Sequence, residues 1–326
     1  MPYVTVLIPV YNAMPFLPSA LESILQQTLQ DISVLIIDDG STDGSATYLS
    51  QINDPRVRVI KVPHQGLGSV LNVGLEACQT EFLARMDSDD LSLPNRLRDQ
   101  LAFMQENSKI AAVGTQFKYI GSCSTAPSPV LPLHHDEICA YLLRGHLSLV
   151  HATLMFRTTV LRSIGGYRIN GGGEDWDLFL RLSEVGQLVN LLDVHYLWRQ
   201  HNANSDLKRL MEAKIGIDYG CYCAELRRKG EPELTLEEYH RHATQKVWQR
   251  LALFLDVFAF AQYRRALADI GDGRAVRGFS RLAFSAVCSP SRTTARIVRI
   301  FRSRMYPRHR NVGLTKISIP DSKELK

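Results

Sequence analysis

Seven short patterns alternate along residues 4–86 and limit the fold more tightly than composition does. The β-branched runs VTVLIP (4–9), ISVLIID (32–38), VRVIKV (57–62) and EFLARM (81–86) are separated by helical patterns over Phe16 to Gln27, Ser45 to Gln51 and Ser69 to Ala77. Alternation of this kind predicts βαβ units around a mostly parallel sheet, an α/β architecture. Ligands of such sheets lie beyond the carboxyl ends of the strands. Three of those ends carry polar or aromatic groups: Pro9-Val10-Tyr11-Asn12, Asp38-Asp39-Gly40-Ser41 and Asp87-Ser88-Asp89-Asp90.

The remainder is read more coarsely. The Pro/Ser-rich stretch from Gly121 to Pro132 predicts a loop, Thr153 to Phe156 a strand returning to the sheet, and Trp176 to Val185 a helix with apolar residues at Leu178, Phe179 and Leu182. Val194 to Trp198 is strand-like, and a polar helix is expected from about Ala203 to Lys229. The net charge of +5 is uneven, because twelve arginines between Arg264 and Arg310 face only Asp269 and Asp272. Basic character therefore belongs to the C-terminal part. A division follows into residues 1–205, carrying the strand-end groups, and a helical, Arg-rich extension over 206–326.

The six cysteines lack zinc-finger spacing, and the start MPYVTVLIPV shows no charged region followed by a cleavable apolar stretch, so a reducing cytoplasmic location is expected. The most apolar segment, Val247 to Phe260, contains Arg250 and Asp256. It falls short of the roughly 20 apolar residues needed to span a bilayer.

Each strand end suits a different task. A carboxylate at Asp38 or Asp39 accepts hydrogen bonds from a nucleobase imide or ribose hydroxyl, although Asp is also a preferred turn residue and Asp43 or Ser45 is positioned to cap the next helix. Tyr11, at the neighbouring strand end, offers a ring on which a base stacks. The Asp87-x-Asp89 pair supplies the oxygen ligands that magnesium or manganese prefers, shared with substrate phosphates. Glu174-Asp175 follows a glycine run expected to be flexible, Gly171 to Gly173, and opens a helix. There an acid either complements the helix dipole or serves as a general base, and spacing alone does not choose. His64-Gln65-Gly66-Leu67-Gly68-Ser69 reads as a turn and helix start, His134-His135-Asp136-Glu137 as a solvated turn, and Cys221-x-Cys223 as structural.

Taken together, VTVLIPVYNA, LIIDDGSTDGS, GLGSVLNVGLEA, EFLARMDSDDLSLPNRL, HATLMFR, GGYR with EDWDLFLRL, and RQHNANS resemble the family 2 glycosyltransferases, inverting enzymes of GT-A fold. The resemblance covers residues 2–205 in collinear order. It implies a nucleotide-sugar site at Pro9, Tyr11, Asp38, Asp39 and Asp87, with Asp39 reading the base. It further implies a divalent cation, Mn2+ or Mg2+, at Asp89 with Asp87 and His201, and a catalytic base at Asp175 beside Glu174. Asp90 is assigned to orienting its neighbours or capping the turn before Leu91 to Pro94. The donor is expected to be a UDP-sugar and the acceptor a glycan or lipid-linked hydroxyl in polysaccharide, lipopolysaccharide or glycolipid synthesis, with no nucleic-acid partner. The segment TARIVRIFRSR, Thr294 to Arg304, has the spacing of an interfacial helix, which would give peripheral association at the inner face of the cell membrane, and equally that of a solvated helix packed on the catalytic domain or binding a partner. Two other classes fit paired carboxylates on an α/β sheet: a sugar nucleotidyltransferase, which releases pyrophosphate, and a non-catalytic nucleotide-sugar-binding scaffold.

Overall fold

Strand β1 (Val4–Val10) is buried at all seven positions and lies inside the sheet. Its side chains divide by parity, as a pleated strand requires. Val4, Val6, Ile8 and Val10 enter one apolar layer with Leu17, Leu21 and Ile24 of α1 (Leu17–Leu25), whereas Leu7 enters the opposite layer. That second layer holds Val70, Leu71 and Leu75 of α3 (Leu67–Ala77), which follows the small helix α2 (Ser45–Ser50). Gly74 lets α3 approach closely, since a Cβ there would lie 2.3 Å from a methyl of Leu7. The computed structural model describes residues 2–121, 128–169, 172–200, 207–271 and 273–289.

The remaining strands are β2 (Ile32–Asp38), β3 (Val57–Lys61), β4 (Phe82–Arg85), β5 (Leu91–Ser92), β6 (Ile110–Ile120), β7 (Met155–Arg157) and β8 (Gln187–Arg199). They form one eight-stranded sheet in the order β3-β2-β1-β4-β7-β6-β8-β5. The first four in that order are mutually parallel, as the alternating pattern predicts. β7 is antiparallel to both β4 and β6, and β5 is antiparallel to β8. In the register, Leu7 opposes Arg85 while Val10 opposes Asp38, so β1 and β2 run past the end of β4. The Asp-rich turn therefore starts in a step of the sheet edge.

Helix α4 (Arg96–Glu106) packs Leu97, Leu101 and Met104 into the first layer, while α5 (His135–Leu142), α6 (Thr158–Ser163) and α7 (Glu174–Val185) contribute Leu142, Leu161 and Phe179 to the second. Among the described residues four helices follow: α8 (Leu207–Lys229), α9 (Leu236–Ala243), α10 (Val247–Gly271) and α11 (Ala275–Cys288). α8, expected as a polar helix, buries Tyr219, Cys223 and Ala224, and Ala224 joins the second apolar layer.

Several readings change. The glycine run expected to be flexible is close-packed at Gly172 and Gly173, both at positive φ, where an added Cβ would lie 2.9 Å from Ala213 N and 2.7 Å from the Gly216 backbone. Residues 134–137 form the entry to α5 rather than a free turn, and His135 Nδ1 accepts the Leu188 N–H at 3.2 Å. The returning strand begins at Met155, after a 3-10 turn over His151–Thr153. Gly44 is the residue before α2, with Asp43 accepting from Ser45 N and Oγ at 3.0 and 2.7 Å. β6 was not read from sequence, because Gly114, Thr115 and Gln116 interrupt its apolar run. Tertiary contacts explain them: a Cβ at Gly114 would lie 2.3 Å from Asn190 Oδ1, and Gln116 Oε1 accepts the Leu131 N–H at 2.8 Å.

Candidate active site

The ends of β1 and β2 are stitched together by the loops that follow them. Asn12 N–H donates to Ser41 Oγ at 3.0 Å, Asn12 Oδ1 accepts Thr42 N–H at 2.8 Å, and Ala13 N–H donates to Ser45 Oγ at 3.0 Å. Asn12 takes φ of 50°, a left-handed geometry that Asn tolerates better than most residues. Asp38 is buried and accepts Ser41 N–H at 3.1 Å, so one of its oxygens closes the turn. Asp39, also buried, accepts Gln65 N–H at 2.8 Å on one oxygen and Gly66 N–H at 3.1 Å on the other, anchoring the start of α3. His64 Nδ1 lies 2.9 Å from Asp39 Oδ2, and the His64 ring stacks on Tyr11 with centroids 4.1 Å apart. Tyr11 remains 47% exposed, which leaves ring surface available for stacking. Pro9, Tyr11, Asp38 and Asp39 thus share one edge.

The second element is the turn after β4. Carboxylate oxygens of Asp87, Asp89 and Asp90 lie within 4.8 Å of one another, the one such group of possible metal-holding side chains among the described residues. Asp90 is turned inward: it accepts Tyr196 Oη–H at 2.8 Å and Arg199 N–H at 2.6 Å, tying the turn to β8. Burial, reinforced by the charges on Asp87 and Asp89, pushes its carboxyl up to about 8. Arg199 also donates from Nε to the Asp89 carbonyl at 2.8 Å. Behind the turn, fully buried Arg96 donates to Arg85 O at 2.5 Å and lies over the Tyr196 ring.

Arg85 joins this turn to the third element. Its buried guanidinium donates to Asp87 Oδ1 at 2.6 Å, and its positive charge is also felt at Glu174 and Asp175. Glu174 and Asp175 open α7 behind Gly173, which has φ of 78°. Asp175 accepts Trp176 N–H at 2.8 Å, and burial raises its carboxyl despite that bond and Arg85. Burial, with the Asp175 charge second, pushes Glu174 up to about 7. Glu174 Oε2 and Arg85 Nε are both buried without a hydrogen-bond partner among the described residues. Below, Asp177 pairs with Arg168 at 2.5 Å and Arg181 at 2.8 Å, fixing α7 from the inner side. His201 lies outside the described residues.

Residues 5–165 match the family model described as Glycosyl transferase family 2. The amylovoran biosynthesis glycosyltransferase AmsE of Erwinia amylovora is 31% identical over 196 residues, 58% of this chain and 73% of its own length. The chain belongs to glycosyl transferase family 2. Chondroitin synthase of Escherichia coli is 29% identical over 214 residues, 64% of this chain but only 30% of that protein, so the chain spans under a third of that relative. Among solved structures, S. aureus TarS 1-349 in complex with UDP-GlcNAc gives a TM-score of 0.55 at 15% identity, covering 88% of this chain and 91% of that one. The shared architecture is the GT-A fold, with helices added at the C-terminal end.

In this family 2 chain, sequence reasoning missed Arg85, Arg96, Tyr196 and Arg199 around the aspartates, and His64 beside Asp39. A signal existed for the first of these. An arginine inside the apolar run FLARM needs a buried anionic partner. Nothing local marks Tyr196 or Arg199, which reach the turn from more than a hundred residues away.

Proposed function

We propose that the chain is an inverting glycosyltransferase that moves a sugar from a nucleoside-diphosphate donor, a UDP-sugar first, to an acceptor hydroxyl in polysaccharide, lipopolysaccharide or glycolipid synthesis. The observation that carries this reading is the buried Arg85 paired with Asp87 at 2.6 Å beside Asp89, with its charge also felt at Glu174 and Asp175. Pro9 and Tyr11 line the nucleotide site and Asp39 reads the base, with Asp38 close by holding the turn. Asp87 binds ribose. UDP-GlcNAc in TarS and the polymer-forming names of chondroitin synthase and AmsE support donor and product class.

The turn fits a divalent cation. Its oxygen donors are those magnesium and manganese prefer, and carboxylate oxygens of Asp87, Asp89 and Asp90 gather within 4.8 Å of one another, where a cation would relieve their mutual repulsion. Asp89 and Asp87 would hold it, with His201 as a third ligand. A divalent ion held there would supply positive charge to offset that of the departing diphosphate. Asp175 accepts the proton of the acceptor hydroxyl as oxygen attacks the anomeric carbon from the face opposite the nucleotide. The α7 dipole and the Trp176 N–H keep Asp175 oriented, and Arg85 holds its charge against that of Asp87. Residues 1–205 would perform donor binding and chemistry, and 206–326 acceptor and surface contacts at the inner face of the membrane.

The test is a nucleotide-sugar screen with Mn2+ or Mg2+ that follows nucleoside diphosphate release. Asp89→Ala is expected to lose metal-dependent donor binding. Asp175→Asn is expected to keep donor binding and lose transfer, on the order of a hundredfold or more as for removal of a general base. Wild-type turnover by Asp175→Asn would overturn the base assignment, and pyrophosphate release would indicate a nucleotidyltransferase.

A further inference from the structure

Eight of the fourteen large apolar side chains exposed among the described residues lie on α10 and α11. They are ordered rather than scattered. Val247, Leu251, Phe254 and Phe258 recur at i, i+4, i+7 and i+11 along one side of α10, and Val276, Phe279, Ala283 and Val287 do the same at i, i+3, i+7 and i+11 on α11. Phe254 stacks on Phe258 with ring centroids 5.8 Å apart, and Phe258 meets Phe284, which flanks the α11 stripe, edge-on at 5.9 Å, so exposed apolar side chains of the two helices are linked at that contact. The inner side of the pair is already satisfied by small contacts. Ser285 Oγ donates to Ala259 O at 2.8 Å, and a Cβ on Gly278 would lie 2.4 Å from Ile270. The outer aromatic face is therefore surplus to packing the pair.

Its charge identifies the occupant. From Lys246 to Ser289 the sequence carries seven Lys and Arg against three Asp, and residues 290–310 add seven arginines with no acid. Arg274, Arg277 and Arg281 gather around Asp269 at 2.9, 3.8 and 3.2 Å. A second copy of this chain would bring the same positive field against itself. An aromatic face bordered by arginine matches an anionic lipid surface, where rings enter the headgroup layer and guanidinium groups meet phosphates. No described helix is long and apolar enough to cross a membrane, which fits an element that lies on one. We propose that α10 and α11 dock this joined face on an anionic bilayer. The inference deepens the surface-bound reading above but has its own readout.

Trp248 is 65% exposed at the edge of the face, whereas Trp176 is buried. The full chain is mixed with vesicles of equal parts phosphatidylglycerol and phosphatidylcholine, or of phosphatidylcholine alone, and followed by co-sedimentation and tryptophan emission. Sedimentation with the anionic vesicles only, a blue shift lost in Trp248→Phe, and roughly tenfold weaker binding by the double variant Val276→Glu/Phe279→Glu are expected. Both of those positions are more than half exposed, at 87% and 62%. Failure to sediment with anionic vesicles would overturn the proposal, as would unchanged binding by the double variant. So would a wild-type dimer that the double variant splits, since a second copy would then cover the face. Nucleoside diphosphate release measured without vesicles separates the two readings: turnover without vesicle binding sinks only the docking surface, and vesicle binding without turnover sinks only the transferase.

Discussion

Glu174 and Asp175 are chain neighbours with different surroundings. Glu174 is buried with one oxygen unpartnered, and its carboxyl is pushed from 4.5 up to about 7. Because the folded state holds this proton more tightly than the unfolded chain does, the stability it contributes is complete below about 4.5 and is lost as pH rises through about 7. Glu174→Gln removes that dependence. Its thermal midpoint is expected to rise relative to wild type between about pH 5 and about pH 8, measured by scanning calorimetry. Arg85 supplies the balancing charge, and Arg85→Met removes the partner of Asp87 and the positive charge felt at Glu174 and Asp175. Loss of a buried charge partner costs about 3–5 kcal/mol, and both donor affinity and turnover are expected to fall, whereas a purely structural arginine would lower the melting temperature alone. Asp87, Asp89 and the Glu174-Asp175 pair were legible as acids at a strand end and a helix start. Their coupling through Arg85 was not, since it depends on how two distant loops meet.

α7 and α8 show how an element outside the matched residues 5–165 reaches the candidate site. Gly216 and Gly220 of α8 lie against the glycine turn and Asp177, with a Cβ on Gly216 falling 2.2 Å from Gly172 O and one on Gly220 falling 3.2 Å from the Asp177 backbone. The turn that presents Glu174 and Asp175 is thus held by a helix that begins beyond residue 205. Gly216→Ala must displace that turn, at a cost of about 1–3 kcal/mol for overpacking. The expected result in steady-state kinetics is a kcat lowered roughly tenfold with donor KM nearly unchanged, because the proposed donor edge at Tyr11 and Asp39 is held by its own contacts with His64, Gln65 and Gly66, whereas misplacement of a reacting group is enough to slow transfer. Periodicity marked α1, α7 and the parallel strands because each carries its own apolar stripe. It missed β6, whose central Gly114 and Gln116 answer to Asn190 and Leu131.

Across the whole molecule, charge and apolar exposure are segregated: the acidic site lies at the sheet edge and the basic, aromatic face on α10 and α11. Vesicle association is expected to weaken steeply as salt rises from about 0.1 M to about 1 M, where the screening length falls from about 10 Å to about 3 Å. The aromatic contribution should leave a residual affinity. The sequence by itself determined the parallel α/β half, the family, and the acids at two strand ends and one helix start, because strand parity, helix stripes and turn chemistry are local and repeat along the chain. Only the tertiary structure decided that Asp90 faces inward to Tyr196 and Arg199, that the Arg85 paired with Asp87 also lends its charge to Glu174 and Asp175, and that α8 braces the turn before α7. Those relations join residues from about 40 to more than 100 positions apart, and no local pattern encodes which buried charge will find which partner.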